Sequence, residues 1–186
     1  MSRRTTRVGL WLLLALLPAA GLLACTTGPS TRSTKLPAPE AARSCPAPTI
    51  TADALRSALH ERTAAHRKAQ GLGALDSHER VDAIAQQHSF LMAGRAAMTH
   101  DGSQERFKAV SAVFGWPHAA GNFAENVAEV CGDVDAAAKQ AFEAWLASSD
   151  HRENIEGDFR VTGIGVTQGR SGWIYIAQLF YLPRET

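Results

Sequence analysis

The stretch TGIGVTQGRSGWIYIAQLFYL, Thr162–Leu182, decides the fold. Thr162–Thr167 and Gly172–Leu182 are rich in β-branched and aromatic residues, and QGRSG, Gln168–Gly172, joins them as a hairpin turn would. Everything upstream reads at a different period. Asp135–Ala147 places Ala138, Ala141, Phe142 and Trp145 at steps of three and four, the spacing of one helix face. Thr51–Gln70 does the same through Leu55, Ala58, Leu59 and Arg62, with Thr51 as an N-cap and Gly71 and Gly73 as the stop. A further helix is predicted from Asp76, where Glu79 completes a capping-box-like start. Its stripe is Val81, Ile84, Ala85, His88, Leu91 and Met92, and Gly94 ends it. Ser103 opens a short one whose Phe107, Val110, Val113 and Phe114 share a face. Asn122–Val130, NFAENVAEV, fits either a strand or a loop. Helices first and a hairpin last predict an α+β domain with helices covering an antiparallel sheet.

The N-terminus carries Arg3, Arg4 and Arg7, then an uncharged apolar run from Val8 to Ala20. That run is shorter than the ~20 residues of a spanning helix, so residues 1–24 read as an export signal. Leu22-Leu23-Ala24-Cys25 has the form of a bacterial lipobox, which predicts cleavage before Cys25 and acylation of its thiol. Acyl chains would hold the protein to a membrane face of the cell envelope without crossing it. The Thr-, Ser-, Pro- and Ala-rich sequence that follows lacks aromatic residues and predicts a tether, so residues 25–48 form anchor and linker and residues 49–186 the domain. Removing residues 1–24 takes three of the 19 basic residues and none of the 18 acidic ones. No basic field remains for nucleic acid. With Cys25 spent on lipid, Cys45 and Cys131 form an even pair in an oxidising setting. A disulfide is expected, two free thiols being the alternative.

His60 and His66, in HERTAAH, imitate a helical zinc motif, but positions six apart lie ~240° apart around a helix and cannot share one ion. Phosphate loops, the G-x-S-x-G elbow and C-x-x-C are all missing. What stands out is a series of short stretches at helix edges. They are Arg67 with Gly71–Leu75, then Met98-Thr99-His100, then Ala124-Glu125-Asn126-Val127-Ala128. Trp145 with Ser148–Ile155 (SSDHRENI) follows, and Gly163-Ile164-Gly165-Val166 precedes the closing Trp173–Tyr181.

In this order, over about Leu55 to Leu182, these stretches resemble the bacterial members of the CAP superfamily of cysteine-rich secretory, antigen 5 and pathogenesis-related 1 proteins. The resemblance implies an α-β-α sandwich and a cleft lined by two histidines and two acids. His100, Glu125 and His151 match three of those places. The fourth acid falls on Ser148, which leaves Asp150 or Glu143 to substitute. The expected ligand-binding cleft is therefore His100, Glu125, Ser148, Asp150 and His151.

Two neutral imidazoles and a carboxylate suit a divalent metal such as zinc, so His100, His151 and Glu125 are its candidate ligands. The same three groups could act as a general acid and base, giving a metal-assisted hydrolase of peptides or envelope polymers. They could also be a hydrogen-bonded cluster that only orders loops in an interaction module. Relatives that resemble sterol or fatty-acid carriers imply a small apolar ligand as a further candidate. Arg152 reads as a helix-end cation or ion-pair partner, Asn126 and Asn154 as loop-fixing amides, Trp145 and Ile155 as core, and His66, His78 and His88 as ordinary histidines.

Overall fold

The computed structural model describes residues 44–116 and 118–184, within one compact unit, Pro39–Thr186. The export signal, the lipobox and most of the tether lie outside the described residues. The elements are α1 (Ala52–Ala69), β1 (Asp76–Ser77), α2 (Glu79–Arg95), α3 (Ser103–Val113), β2 (Asn122–Val130), α4 (Val134–Ala147), α5 (Ser149–Glu156), β3 (Val161–Gln168) and β4 (Ile174–Leu182). The ambiguous Asn122–Val130 is thus a strand. Among the described residues no helix is long and apolar enough to cross a membrane.

The sheet order is β1-β3-β4-β2. The three long strands are antiparallel, as the hairpin predicts, but β1 runs parallel to β3, so the sheet is mixed rather than wholly antiparallel. Strand β4 is buried on both faces, and its side chains alternate between two cores. Ile174, Ile176 and Phe180 pack with Leu55 and Leu59 of α1, Phe142 and Trp145 of α4 and Ile155 of α5. Tyr175, Ala177, Leu179 and Tyr181 pack with Val81, Ala85 and Met92 of α2 and Val110 of α3. One central sheet thus lies between two helical layers, the expected α-β-α sandwich.

Glycine placement in β3 lets α2 approach closely. A Cβ on Gly165 would lie 2.1 Å from the Ala85 carbonyl carbon, and one on Gly163 would lie 2.5 Å from the Asp82 nitrogen. Polar α2 side chains then serve the strand groups that β1 is too short to reach. Asp82 Oδ1 accepts from Ile164 N at 2.7 Å, Gln86 Oε1 from Val166 N at 3.0 Å, and Gln86 Nε2 donates to Val166 O at 2.8 Å. Arg56 Nε donates to Ile164 O at 2.8 Å. Side chains complete what would be an open sheet edge.

Several helix ends differ from expectation. Asp76 and Ser77 do not open α2. Asp76 N donates to Arg160 O and His78 N to Thr162 O, so long-range pairing takes the segment that local sequence assigns to a cap, and His78 is the N-cap residue. Gly94 stays helical and α2 ends at Arg95, with Ala96 as its C-cap in the left-handed conformation at φ 49°. Ser103 is the first helical residue of α3 and Gly102 its N-cap. Leu91 leaves the buried stripe because it sits roughly 80° around the helix from Val81, and it is exposed. Cys45 and Cys131 form the disulfide, with Cα atoms 5.7 Å apart across 86 residues of sequence. Residues 45–48, assigned to the tether by sequence, lie against the β3–β4 turn: Cys45 N donates to Ser171 O, and Gln168 Nε2 to Pro48 O.

Candidate functional site

Three consecutive residues of β2, the strand at the far edge of the sheet, each hold a different element. Glu125 turns toward the α2–α3 layer. Its Oε1 accepts from His100 Nδ1 at 2.8 Å and from Arg106 Nη2 at 2.8 Å, while Oε2 accepts from Arg106 Nε. Asn126 turns to the opposite layer and donates to His151 O at 3.0 Å. Its own Oδ1 accepts from Asn154 Nδ2 at 2.9 Å, which hangs α5 on the strand. Val127 supplies a carbonyl to Trp145 Nε1 at 2.9 Å and so fixes α4. The AENVA stretch is therefore the point where both layers are joined to one edge.

The result brings His100, in the loop after α2, and His151, on α5, together. Their ring centroids are 6.2 Å apart and nearly parallel at 29°. Glu125 is 2% exposed and His100 51%, so the carboxylate forms the floor and the imidazole the wall. With Nδ1 donating to Glu125, the neutral His100 ring carries its lone pair on Nε2. Burial, and then the neighbouring His100, lower the His151 pKa, while Asp150 opposes the shift. His151 is accordingly neutral near pH 7 and able to donate a lone pair.

Arg106 and His88 complete the cluster, and sequence reasoning missed both. The Arg106 fork holds Glu125 and also donates to Asp101 O at 2.8 Å and His100 O at 3.2 Å, which fixes the loop that carries His100. His88, read from sequence as an ordinary histidine, is buried behind it. Its Nε2 donates to Thr99 O at 2.8 Å and lies 3.9 Å from Glu125 Oε1. Burial, then Arg106, lower the His88 pKa against the pull of Glu125 and the Thr99 carbonyl. The available signal was position: Arg106 lies four residues before Val110 on the apolar side of α3, and His88 lies on the α2 stripe. A charged or titratable group on a buried face needs a partner.

The remaining predicted residues separate clearly. Ser148 is the half-buried junction between α4 and α5, and its side chain makes no capping bond. Asp150 is exposed, accepts from Ser149 Oγ at 3.1 Å and acts on His151 through its charge. Glu143 faces solvent, 3.9 Å from Lys139. Arg152 donates to Leu146 O at 2.9 Å, the helix-end role expected of it. His60 and His66 serve different partners, Asp82 at 3.7 Å and Glu156 at 2.8 Å. Among the described residues no three His, Cys, Asp or Glu side chains converge closely enough to encircle one ion. Glu125 accepts three hydrogen bonds, two at Oε1 from His100 and Arg106 and one at Oε2 from Arg106, so it orients the His100 ring.

A comparison with curated proteins finds no match. Among solved structures, the chain is similar to an outer surface protein from Borrelia burgdorferi, at TM-score 0.61 and 17% identity, over 74% of this chain and 99% of that one. It is similar to an extracellular protein containing an SCP domain from Bacillus anthracis, at TM-score 0.56 and 20% identity, covering 70% of this chain and 41% of that one. A cysteine-rich secretory protein from Staphylococcus aureus gives TM-score 0.55 at 20% identity, over 72% and 40% of the two chains. At these identities the likeness is one of fold, and this chain spans less than half the length of the latter two. The profile of the cysteine-rich secretory protein family, CAP, matches residues 60–180, well over half of the sequence. The chain belongs to the CAP family of cysteine-rich secretory proteins.

Proposed function

We propose that the protein is exported and lipid-anchored at Cys25 on the cell envelope, and that its His100–His151 cleft binds a divalent metal such as zinc beside a small apolar ligand. The observation that carries this reading is the His100 Nδ1 to Glu125 contact of 2.8 Å opposite a second imidazole 6.2 Å away. A carboxylate behind a histidine fixes its tautomer and raises its basicity, the arrangement that accompanies metal-ligating imidazoles. For one ion to bond at ~2.0–2.1 Å to a nitrogen of each ring, the two rings, stacked at 29° with centroids 6.2 Å apart, would have to turn their edges toward a common point. His100 and His151 would hold it, Glu125 would orient His100, and water would fill the other positions. Bound there, a divalent ion would supply charge to polarise an oxygen ligand.

The candidate place for an apolar ligand, of sterol or fatty-acid type, is a concavity of about 420 Å³ between α2 and α3, whose apolar wall is Ile84, Leu91, Met92 and Ala109 and whose rim carries Arg95, Asp101 and Glu105. It adjoins the cleft through His88 and Arg106, and His100 and His151 do not line it. Export is supported by the surface and extracellular descriptions of the similar proteins and by the disulfide, which persists in oxidising compartments. Hydrolysis is less well supported, since Arg106 and His100 occupy the Glu125 oxygens that a general base would need.

Isothermal titration of the metal-stripped full chain with zinc tests the reading. His100→Ala and His151→Ala should each abolish uptake with the fold intact by circular dichroism, and Glu125→Gln should weaken it roughly 10–100-fold. Uptake that survives both histidine substitutions refutes the site. The Arg106 fork also favours a second reading, a cluster that only stiffens loops. Under it, the same substitutions lower the melting temperature and wild type takes up no metal.

A further inference from the structure

The groove between α2 and α3 changes character along its length. Ile84, Leu91 and Arg95 line it from one side of α2, at steps of seven and four, and Glu105 and Ala109 line it from α3. Its apolar residues, Ile84, Leu91, Met92 and Ala109, lie along the two helices. Its exposed charges gather where the helices are joined. Arg95 closes α2, Asp101 sits in the connecting loop, and Glu105 is in the first turn of α3. The buried polar groups of the lining are committed elsewhere: His88 Nε2 donates to Thr99 O, and Arg106 donates to Glu125 and to the carbonyls of His100 and Asp101. By contrast, the side chains of Arg95, Asp101 and Glu105 make no hydrogen bond or ion pair with other described residues. One end of the groove thus holds one uncommitted cation and two uncommitted anions beside an apolar trough.

Charge complementarity selects the head of the occupant. A plain fatty-acid carboxylate would meet Arg95 and be repelled by two carboxylates, and a sterol hydroxyl would use none of the charge. A head that carries both signs satisfies the whole rim, its phosphate on Arg95 and its ammonium on Asp101 and Glu105. The trough selects the tail. A peptide segment would need partners for its backbone N–H and C=O groups, which an alkyl chain does not. The concavity of about 420 Å³ is toward the small end of ligand pockets and suits one chain rather than two. We infer that the α2–α3 groove binds a single-chain zwitterionic amphiphile of the lysophospholipid class, an ammonium phosphodiester, with its head between Arg95 and the two acids and its chain along Ile84, Leu91 and Met92. The inference rests on the reading of this groove as an apolar-ligand site and narrows the ligand, setting fatty acids and sterols aside.

Isothermal titration of the metal-free full chain with a short-chain lysophosphatidylethanolamine, kept below its micelle concentration, tests this. A fatty acid and an alkylammonium of the same chain length are the single-charge comparisons. The zwitterion should bind more tightly than either, each exposed charge contact contributing up to about fivefold. Arg95→Gln should weaken the zwitterion by that factor and leave the alkylammonium unchanged. Asp101→Asn with Glu105→Gln should weaken the alkylammonium and strengthen the fatty acid. Leu91→Ser should weaken all three with the fold intact by circular dichroism, since Leu91 is 51% exposed. A single-charge probe that binds as tightly as the zwitterion overturns the head assignment and leaves the apolar-ligand site standing. So do charge substitutions that lower the melting temperature, as the loss of helix-end charges would, while every affinity stays unchanged. Binding that Leu91→Ser does not alter lies outside the groove and overturns the inference. Uptake of none of the three probes overturns the site itself and the inference with it.

Discussion

Replacing Arg106 by Met tests whether the Glu125 cluster is an ionic structure or an incidental contact. In the native protein both Glu125 oxygens accept from Arg106, His100 supplies one further donor, and the carboxylate is 2% exposed. Arg106→Met leaves Oε2 without a donor in a nearly dry site. Removing one partner of a buried pair costs ~3–5 kcal/mol. Two features place this site at the lower end, about 3 kcal/mol: His100 beside it is half open to water, and the Asp101 and His100 carbonyls that lose Arg106 sit in a surface loop where water replaces the bond. Arg106→Lys keeps the charge but loses the planar fork and falls between. In Arg106→Met with Glu125→Gln no orphan charge remains, so the double variant should lose at least ~2 kcal/mol less than the sum of the singles. Urea unfolding at pH 7.5 with linear extrapolation measures the wild type and all four variants. A loss below ~1 kcal/mol for Arg106→Met, or additive singles, would show that the pair is solvated and the argument wrong.

Other substitutions probe the frame around the site. Removing the disulfide with Cys45→Ala and Cys131→Ala frees a loop of 86 residues. Chain entropy predicts a loss of about 4.5 kcal/mol in urea unfolding, and a loss under ~1 kcal/mol would mean the unfolded chain is compact without the bridge. Gly165→Ala places a methyl 2.1 Å from the α2 backbone, where no rotamer relieves it. A loss of about 3 kcal/mol or more is expected, and an unchanged melting temperature would contradict the close approach of α2 to β3. The His88 pKa is lowered first by burial and then by Arg106. The unfolded chain therefore takes up a proton below pH ~6.5 that the folded protein refuses, and stability present above that pH is lost as pH falls. Between pH 7.5 and 5.5 the wild type should lose stability and His88→Gln should lose less, so equal slopes would exclude His88 as a source.

The parts of the fold that could be read in advance are those specified by local pattern. Ile174–Leu182 declares a strand through β-branched and aromatic residues, and α4 declares its face through Ala138, Ala141, Phe142 and Trp145. Where a partner far along the chain decides, the local signal misleads. Asp76 and Ser77 are polar and precede a glutamate, so they imitate a capping box. Pairing with Val161 and Thr162 makes them strand instead. The inward stripe of α2 failed at Leu91 for a related reason. Gly163 and Gly165 let the helix lie almost backbone to backbone on β3, and so tight a contact buries a narrower band than periodicity alone assigns.

The same division runs through the site. His100, Glu125 and His151 were visible because each sits in a short stretch with a family pattern. Arg106 has no such pattern, and only its place on the buried side of α3 marks it. Yet Arg106 determines what Glu125 can do. A carboxylate that accepts from a guanidinium fork and from an imidazole is held in one orientation, and it holds the His100 ring in turn. The relation between His100 and His151 then depends on both helical layers at once, because Glu125 fixes one ring from one face of β2 while Asn126 holds the His151 backbone from the other. The geometry of this cleft is therefore inseparable from the packing of α4 and α5 against the strand edge, and a change at Trp145 or Asn154 should shift the two imidazoles without touching either.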